Sequence, residues 1–292
     1  MTVTFSAEHE RQMRGRGVAF VIMSAIAFSL AGILTKAIQS DIWVIGSWRG
    51  FVGGLLIVGY VYIRGKRRSE ASPFRLGWRG WVLASLIAGA GLAFVAAFKL
   101  TYVANVAVVV AAVPFVTALI EWVFLRQKVQ SATFVAIVLS VIGVLIMVGG
   151  SLGSINLLGD SLAVLMILLQ GLAMVLVRVF KDTPVVFAVA VAGFQVCVIG
   201  LIFSDPFDVS YQDAILLTAF GLSFATAAIL LTEGLKLISA TEAGLLGTAE
   251  VPIAIFLAWV ILAEVPPNTS FVGGSLIMAA VIWNTLRAPQ KN

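Results

Sequence analysis

Residues 107–127 read AVVVAAVPFVTALIEWVFLRQ, an apolar run with Pro114 near its centre. Residues 242–264 read EAGLLGTAEVPIAIFLAWVILAE and repeat that pattern around Pro252, in the second half of the chain. A proline inside a helix frees the carbonyl about one turn earlier, and apolar surroundings cannot satisfy that group. We therefore predict that each proline bends its helix toward protein or a wet cavity. The alternatives are a hinge and a static bend.

Two further features recur at nearly the same interval as the prolines, a Lys-Leu pair before each proline and a glycine at the opening of each half. They are Lys99-Leu100 with Lys236-Leu237, and Gly17 with Gly159. An internal duplication explains such a near-constant interval better than chance does. The sequence therefore predicts two repeats, which cover residues 17–150 and 157–286, between tails of residues 1–16 and 287–292.

The composition places the chain in a membrane. Of its 292 residues, 61% are hydrophobic and only 11% are charged, whereas a soluble domain carries about 25% charged residues. The net charge of +5 is interpreted as topology, so no nucleic-acid partner is expected. The apolar runs contain no histidine and no paired carboxylates at helical spacing, and we expect no cofactor and no metal site.

Ten apolar runs have the length of about 20 residues that a helix needs to cross a bilayer. Runs of this length are too long for barrel strands, so they are predicted to be helices. The expected spans are 17–36, 41–63, 80–98, 103–124, 131–150, 157–178, 184–203, 212–232, 240–263 and 269–286. The predicted fold is an all-α polytopic membrane protein, with ten transmembrane helices as two five-helix repeats around a central cavity.

The basic residues predict the orientation of these spans. The tails and alternate loops, of which the loop over 64–79 is the longest, hold 16 of the 19 Lys and Arg residues. Loops with such an excess face the cytoplasm, so both termini are predicted to be cytoplasmic. Because five is an odd number of crossings, the second repeat enters the membrane from the opposite side. The repeats are therefore predicted to be inverted, a common basis of alternating access.

Several short motifs accompany the two repeats. They are Pro114 and Pro252, Ala107 and Gly143 in the first repeat, Ala243-Gly244 and Gly273-Gly274 in the second, and Arg49 in Ser47-Trp48-Arg49-Gly50. In this ordered set the chain resembles the drug/metabolite transporter superfamily, in its EamA-type branch. Arg126 departs from the pattern, because it stands where that family usually has a glutamate.

The resemblance implies a transporter that exports amino acids and other metabolites. The overall pattern is also similar to that of an aromatic amino acid exporter of this branch, which implies a bacterial inner membrane and outward movement of the substrate. The partners expected on this basis are a small-molecule substrate and membrane lipid, and the oligomeric state is left open.

Charged residues inside the predicted spans are candidates for the site, since a charge at the bilayer centre costs about 2.5–3.5 kcal/mol on insertion scales. Arg49 lies in span 2, and Glu250 lies two residues before the second proline. One or both are predicted to face the cavity and bind a zwitterionic substrate, because arginine presents a fork of donors to a carboxylate. The alternative is that they pair with each other or cap broken backbone, in a purely structural role. Glu121 is expected in an ion pair with Arg126 or Lys128.

Other candidates come from helical spacing and polarity. Ser24 and Phe28 share one face of span 1, and Met166, Gln170 and Met174 share one face of span 6. Under the repeat spacing, Gln170 falls within one residue of Phe28, which favours one site lined by both spans. Gln195 and Asn284 are candidates because they are polar residues inside apolar spans. Weaker candidates are the aromatic residues Phe94, Phe98 and Trp283, the last beside Asn284. The alternative for all of them is ordinary packing.

Three classes of function remain open at this point. The first is a secondary exporter, and the alternatives are a membrane-embedded enzyme acting on lipids and a passive channel. An enzyme needs a cluster of acid, base, nucleophile or metal-ligand groups, and none is evident in the spans. A channel would show a ring of charges or a filter-like loop. No GxxxxGK[ST] loop is present, so nucleotide hydrolysis is not expected to drive the protein.

Overall fold

The computed structural model of the chain describes residues 2–68, 75–126, 130–180, 183–238 and 240–287. Within these ranges the chain forms twelve α-helices, which are α1 (Thr2–Ala37), α2 (Ile42–Arg68), α3 (Gly77–Leu100), α4 (Val103–Ala111), α5 (Val113–Leu125), α6 (Ser131–Gly150), α7 (Leu157–Val179), α8 (Val185–Phe203), α9 (Tyr211–Gly234), α10 (Ala240–Gly247), α11 (Glu250–Leu262) and α12 (Asn268–Arg287). Residues 2–16, predicted as an N-terminal tail, form the first part of α1, which begins at Thr2. The predicted C-terminal tail lies, apart from Arg287, outside the described ranges.

Seven of the described helices are long and apolar enough to cross a bilayer, and an eighth candidate results if the bent pair α4–α5 is taken as one span. The other two predicted spans coincide with the short pair α10–α11 and with α12. The all-helical membrane fold is therefore confirmed, whereas a total of ten crossings stays a prediction.

The proline-containing spans are broken rather than bent. Ala112 separates α4 from α5, which meet at 43°, and residues 248–249 separate α10 from α11. Pro114 and Pro252 lie in the first turns of α5 and α11. A first-turn residue has no intrahelical N–H bond to lose, so proline is well tolerated there. Each proline thus begins a new helix, and its proposed hinge role stays a prediction.

The helices that follow these breaks end alike. Arg126 follows α5 with φ of 52°, and Ala263 follows α11 with φ of 51°. The same interval along the chain separates these two residues as separates the two Lys-Leu pairs. A left-handed conformation costs a residue with a side chain roughly 1–2 kcal/mol, so its recurrence at equivalent positions indicates the same backbone design in both halves.

The glycine and Lys-Leu motifs of the two halves contact each other crosswise. A Cβ added at Gly17 would lie 2.8 Å from the Cβ of Leu237, and one added at Gly159 would lie 2.6 Å from the carbonyl carbon of Leu100. Gly17 lies on α1 and Leu237 follows α9, while Gly159 lies at the start of α7 and Leu100 ends α3. The motifs found by spacing are therefore interface positions between the halves.

The same contacts fix the directions of the helices. At the opposite end of α1, the Gln39 N–H donates to the Asp213 carboxylate at the start of α9, so α1 and α9 are antiparallel. Lys99 near the end of α3 donates to the carbonyl of Ile38 just after α1, so α1 and α3 run in parallel. Since α7 starts where α3 ends and packs along it, α7 runs opposite to α1.

Two pairs of glycines lie where the second and fifth spans of the predicted repeats cross. A Cβ at Gly50 of α2 would overlap the carbonyl oxygen of Gly193 in α8, and a Cβ at Gly193 would lie 2.6 Å from the carbonyl oxygen of Gly50. In α6 and α12, Gly143 and Gly273 meet in the same reciprocal way. Backbones come this close only where neither helix carries a side chain. Such reciprocal contacts are those of a pseudo-twofold axis that relates the two halves.

Candidate functional site

A cavity of about 500 Å³ lies at the centre of the bundle. It is enclosed by α1, α2, α3, α7, α8 and α9, beside the breaks between α4 and α5 and between α10 and α11. Most of its wall consists of small or apolar side chains. The few polar groups that face it therefore decide which ligands it can hold.

Equivalent residues of the two halves line this cavity. The interval between Ser24 and Met166 equals the interval between Phe28 and Gln170, and all four residues are part of the wall. It is also the interval that separates the opening glycines of the two halves. The pseudo-twofold relation of the helices thus extends to the positions of the residues that line the cavity.

The charges of the wall break that relation. Arg49 and Glu250 are the charged residues of the described lining. At the interval that separates Gly50 from Gly193, Arg49 corresponds to Ala192. At the interval that separates the two prolines, Glu250 corresponds to Ala112. The described wall therefore has one cation and one carboxylate, and neither has a charged residue at the equivalent position of the other half.

The Arg49 guanidinium lies among aromatic rings. Its Cζ is 4.0 Å from the ring centroid of Phe224, 5.3 Å from that of Phe94 and 5.4 Å from that of Phe220. Its Nε is buried without a hydrogen-bond partner, and no ion pair joins Arg49 to any described carboxylate. Cation–π contacts stabilise a desolvated cation by about 2 kcal/mol, but they leave its N–H donors free.

Glu250 is likewise unpaired. It is the first residue of α11 and lines the cavity at the break after α10. Among the described residues it has neither an ion-pair nor a hydrogen-bond partner, so the alternative of an Arg49–Glu250 pair is not realised in this structure. The partial positive charge of the α11 N-terminus favours a carboxylate there. Both charged groups are thus available to a ligand.

Of the twelve binding residues predicted from the sequence, eight line the cavity, namely Arg49, Glu250, Gln170, Ser24, Phe28, Met166, Met174 and Phe94. Two of them also make side-chain hydrogen bonds. The Ser24 hydroxyl donates to the carbonyl of Ala227 at 2.8 Å, and the Met174 sulfur lies 3.7 Å from the Thr117 hydroxyl. Their placement agrees with the prediction, and their binding role stays a prediction.

The other four predicted binding residues lie outside the lining, and they are Phe98, Gln195, Trp283 and Asn284. Phe98 is buried in the core, with its ring centroid 4.7 Å from that of Phe94. The amide of Gln195 donates to the Ser85 hydroxyl at 3.2 Å. Phe98 of α3 and Gln195 of α8 thus point toward neighbouring helices and not into the cavity. Polarity alone does not reveal which side of a helix faces the cavity.

Trp283 and Asn284 lie near the end of α12. The Arg287 guanidinium lies 4.1 Å from the Trp283 ring centroid, and Asn284 accepts a hydrogen bond of 2.9 Å from Thr133 of α6. Both side chains therefore serve the contacts of α12 rather than the wall of the cavity. The two prolines are also absent from the lining.

Four residues of the cavity wall on α9 were not predicted from the sequence, and they are Phe220, Ser223, Phe224 and Thr232. Phe220 and Phe224 are four residues apart and so share a helix face. The same spacing identified the residues of span 6, and it could have identified these rings. The Ser223 hydroxyl donates to the carbonyl of Ala27 at 2.7 Å, which ties α9 to α1 beside the cavity.

One end of the bundle is closed by buried polar groups. We name it the Asp213 end, where α1 and α3 end and α9 begins. The Asp213 carboxylate accepts from the N–H groups of Gln39 and Ser40, at 3.0 and 2.8 Å. A second buried carboxylate, Asp160, accepts from Thr101 at 2.6 Å and, with its other oxygen, from Ser151.

Asn105 completes this second cluster. Its amide donates to Asp160 at 3.0 Å and its oxygen accepts from Ser270, so the cluster joins the ends of α3, α4, α6, α7 and α12. Asp160 is only 2% exposed and Asn105 only 1%. Hydrogen bonds from several donors offset the cost of burying the Asp160 charge. The Asp213 end is therefore packed tightly across both halves.

The opposite end, where α9 ends and α3 begins, is named the Glu233 end. The lining of the cavity continues there to Val177, Val185 and Leu231, within the terminal turns of their helices. One ion pair at this end lies at the surface. Arg14 and Glu242 are 2.7 Å apart, with the Arg14 side chain 69% exposed. Under the interval of the Lys-Leu pairs, Glu242 is equivalent to the buried Asn105. Equivalent positions are therefore buried at the Asp213 end and more exposed at the Glu233 end.

Glu121 forms an ion pair as predicted, but its observed partner lies on another helix. Glu121 accepts a hydrogen bond of 2.6 Å from Arg178, in the last turn of α7, and not from Arg126. Lys128 lies outside the described residues. Since Arg126 adopts the left-handed conformation that ends α5, the chain turns away there and a distant helix supplies the cation.

Comparisons with known proteins agree with this architecture. The EamA-like transporter family matches residues 15–149 and, a second time, residues 157–286. No curated protein matches the chain. A solved structure described as "Crystal structure of protein" has a TM-score of 0.67 over 95% of this chain and 99% of that chain, at 16% identity. At that identity the likeness supports the fold alone.

Proposed function

The chain belongs to the EamA-like transporter family of membrane proteins that move small molecules, and on that premise we propose that it is a secondary exporter of amino acids, including aromatic and other apolar ones. The observation that carries the proposal is a central cavity in which Arg49 and Glu250 have no ion-pair or hydrogen-bond partner among the described residues. A buried charge without a partner is costly, so a ligand with complementary charges gains binding energy from each.

An amino acid has the complementary groups. Its carboxylate would bind the donors of Arg49, and its ammonium group would bind Glu250. The apolar remainder of the wall, with Phe28 and Met166, would take the side chain, since methionine adapts to ligands of varied shape. A volume of about 500 Å³ lies within the range of small-molecule sites.

Alternating access is the mechanism that this architecture supports. We place the protein in a bacterial inner membrane as ten crossings, in two inverted repeats, with the Glu233 end and both termini in the cytoplasm. In this arrangement the cavity faces the cytoplasm and the Asp213 end is closed. Export then requires the two repeats to exchange conformations, with the breaks at Pro114 and Pro252 as hinges.

The orientation can be tested with fusions. An alkaline phosphatase reporter inserted in loop 64–79 is expected to be inactive, because the basic residues of that loop hold it in the cytoplasm. The same reporter inserted between α8 and α9, at residues 205–208, is expected to be active in the periplasm. A green fluorescent protein fused at either position should give the opposite pattern. An active phosphatase in loop 64–79 would contradict the proposed topology.

The activity can be tested in liposomes that contain only this protein. We expect saturable counterflow, in which unlabelled phenylalanine on one side drives radiolabelled phenylalanine across, because a carrier exposes its loaded site to each side in turn. Protein-free liposomes provide the background. Flux without saturation or counterflow would indicate a channel, and chemical change of a labelled amino acid or of the liposome lipid would indicate an enzyme. Absence of counterflow across a panel of amino acids would exclude the proposed substrates.

A further inference from the structure

Phe224 is held between the backbone of α2 and the Arg49 guanidinium. Its ring centroid is 4.0 Å from the Arg49 Cζ, the shortest of the three aromatic contacts of that residue. A Cβ added at Gly53 would lie 2.8 Å from the Cδ1 of Phe224, so the ring occupies space that any side chain at position 53 would fill. Gly53 is one turn from Arg49 on the same face of α2.

The contact constrains a side chain that would otherwise be free to move. Arginine has several rotatable bonds, and the described structure provides Arg49 with no hydrogen bond that would fix them. A ring face attracts a guanidinium through its π electrons, while the N–H donors point outward in the plane of the group. Phe224 can therefore hold the cation in place and leave its donors available to a carboxylate.

The other half of the chain provides an internal comparison. Under the intervals set by the crossing of α2 with α8 and by the Lys-Leu pairs, the trio Arg49, Gly53 and Phe224 corresponds to Ala192, Val196 and Ile87. All three of these equivalents line the cavity. The ring and the space that accommodates it are thus present where the arginine is, and both are absent where the arginine is absent. General packing of α9 on α2 would not require this combined change.

We propose that Phe224 is a positioning residue that orients the Arg49 guanidinium toward the substrate carboxylate, with Gly53 providing the space for its ring. The inference rests on the proposed function, because it assumes that Arg49 binds a carboxylate. It implies that the ring controls the affinity for ligands that carry a carboxylate and has little effect on ligands that lack one.

Counterflow of phenylalanine and of phenylalaninamide tests this role. Phe224→Leu removes the ring but retains apolar volume, and we expect the KM for phenylalanine to rise about tenfold, because the substrate must then immobilise the Arg49 side chain when it binds. The maximal rate should change less than twofold. Phe224→Tyr retains the ring and should stay within twofold of the unaltered protein. Gly53→Ala displaces the ring and should raise the KM in the same direction.

The amide distinguishes positioning from shape. Neither Phe224→Leu nor Gly53→Ala should change the KM or inhibition constant of phenylalaninamide by more than twofold, because the amide has no carboxylate for Arg49. Phe207→Leu, at an exposed loop position, is the matched control for loss of a phenyl ring. An unchanged KM for phenylalanine in Phe224→Leu, or an equal rise for acid and amide, would overturn the inference.

Equilibrium binding of radiolabelled phenylalanine to the purified protein separates this inference from the proposed function. If the unaltered protein binds phenylalanine without counterflow, the exporter proposal fails, and the binding affinities of the Phe224 variants still decide the inference. If counterflow is normal in Phe224→Leu, the inference fails and the exporter proposal stands. A protein that neither binds nor moves any carboxylate overturns both.

Discussion

Arg49→Ala is expected to reduce the counterflow efficiency for amino acids roughly a hundredfold, while the protein remains folded. A hydrogen-bonded contact between a guanidinium and a carboxylate contributes up to about 3 kcal/mol, which corresponds to about two powers of ten in an equilibrium constant. In this structure Arg49 makes no ion pair with a described residue, and its Nε has no hydrogen-bond partner. Its removal therefore leaves no other buried group unpaired.

The thermal stability provides the second half of this prediction. Loss of an unpaired buried charge should leave the melting temperature unchanged or raise it, whereas loss of a structural arginine should lower it. Arg49→Lys, which keeps the charge but lacks the fork of donors, should retain intermediate activity. Arg79→Ala, at an exposed position on α3, is the control for removal of a basic residue. Normal counterflow by folded Arg49→Ala protein would remove this residue from the site.

Gly50→Ala is expected to destabilise the whole bundle, because its Cβ would overlap the carbonyl oxygen of Gly193. The α2 and α8 backbones would have to separate, and overpacking of this kind costs about 1–3 kcal/mol. We expect a melting temperature lower by about 2–10 °C. Counterflow should fall as well, since Arg49 is the neighbouring residue and moves with the backbone of α2.

The same helix offers a matched control. A Cβ added at Gly59 meets nothing within 4 Å, so Gly59→Ala removes a glycine from α2 without a clash. It should leave the melting temperature unchanged or raise it slightly, because alanine favours the helix. Gly193→Ala should reproduce the effect of Gly50→Ala from the other side of the crossing. Equal melting temperatures for Gly50→Ala and Gly59→Ala would mean that the crossing is not tightly packed.

The sequence was a good guide to the helices and to the duplication. The thickness of the hydrocarbon sets the length of an apolar run, so the runs could be located without homologues. The spacing of Gly17 and Gly159 identified two positions that do contact the opposite half. Breaks at the two prolines could also be anticipated, although the prolines begin new helices instead of bending continuous ones.

It was harder to predict which side of each helix faces the cavity. In a membrane, lipid and protein neighbours are equally apolar, so a span such as α8 shows no polar side to orient it. Gln195 was therefore placed at the cavity on polarity alone, whereas its amide contacts Ser85. Phe224 was overlooked because its importance depends on Arg49, which lies on another helix. The Glu121–Arg178 pair was missed for the same reason, since it joins residues that are distant in the chain.

The single arginine and single glutamate have a kinetic consequence. A site made of two identical inverted halves would present the same side chains to both compartments. Its half-saturation constants for influx and efflux would then be equal. The residue equivalent to Arg49 in the other half is Ala192. A substrate that enters from one compartment therefore meets different side chains from one that enters from the other, and the two constants are expected to differ. For a carrier without an energy source, the Haldane relation fixes the ratio of maximal rate to half-saturation constant in both directions. A poorer affinity on one side must then be matched by a faster maximal rate from that side.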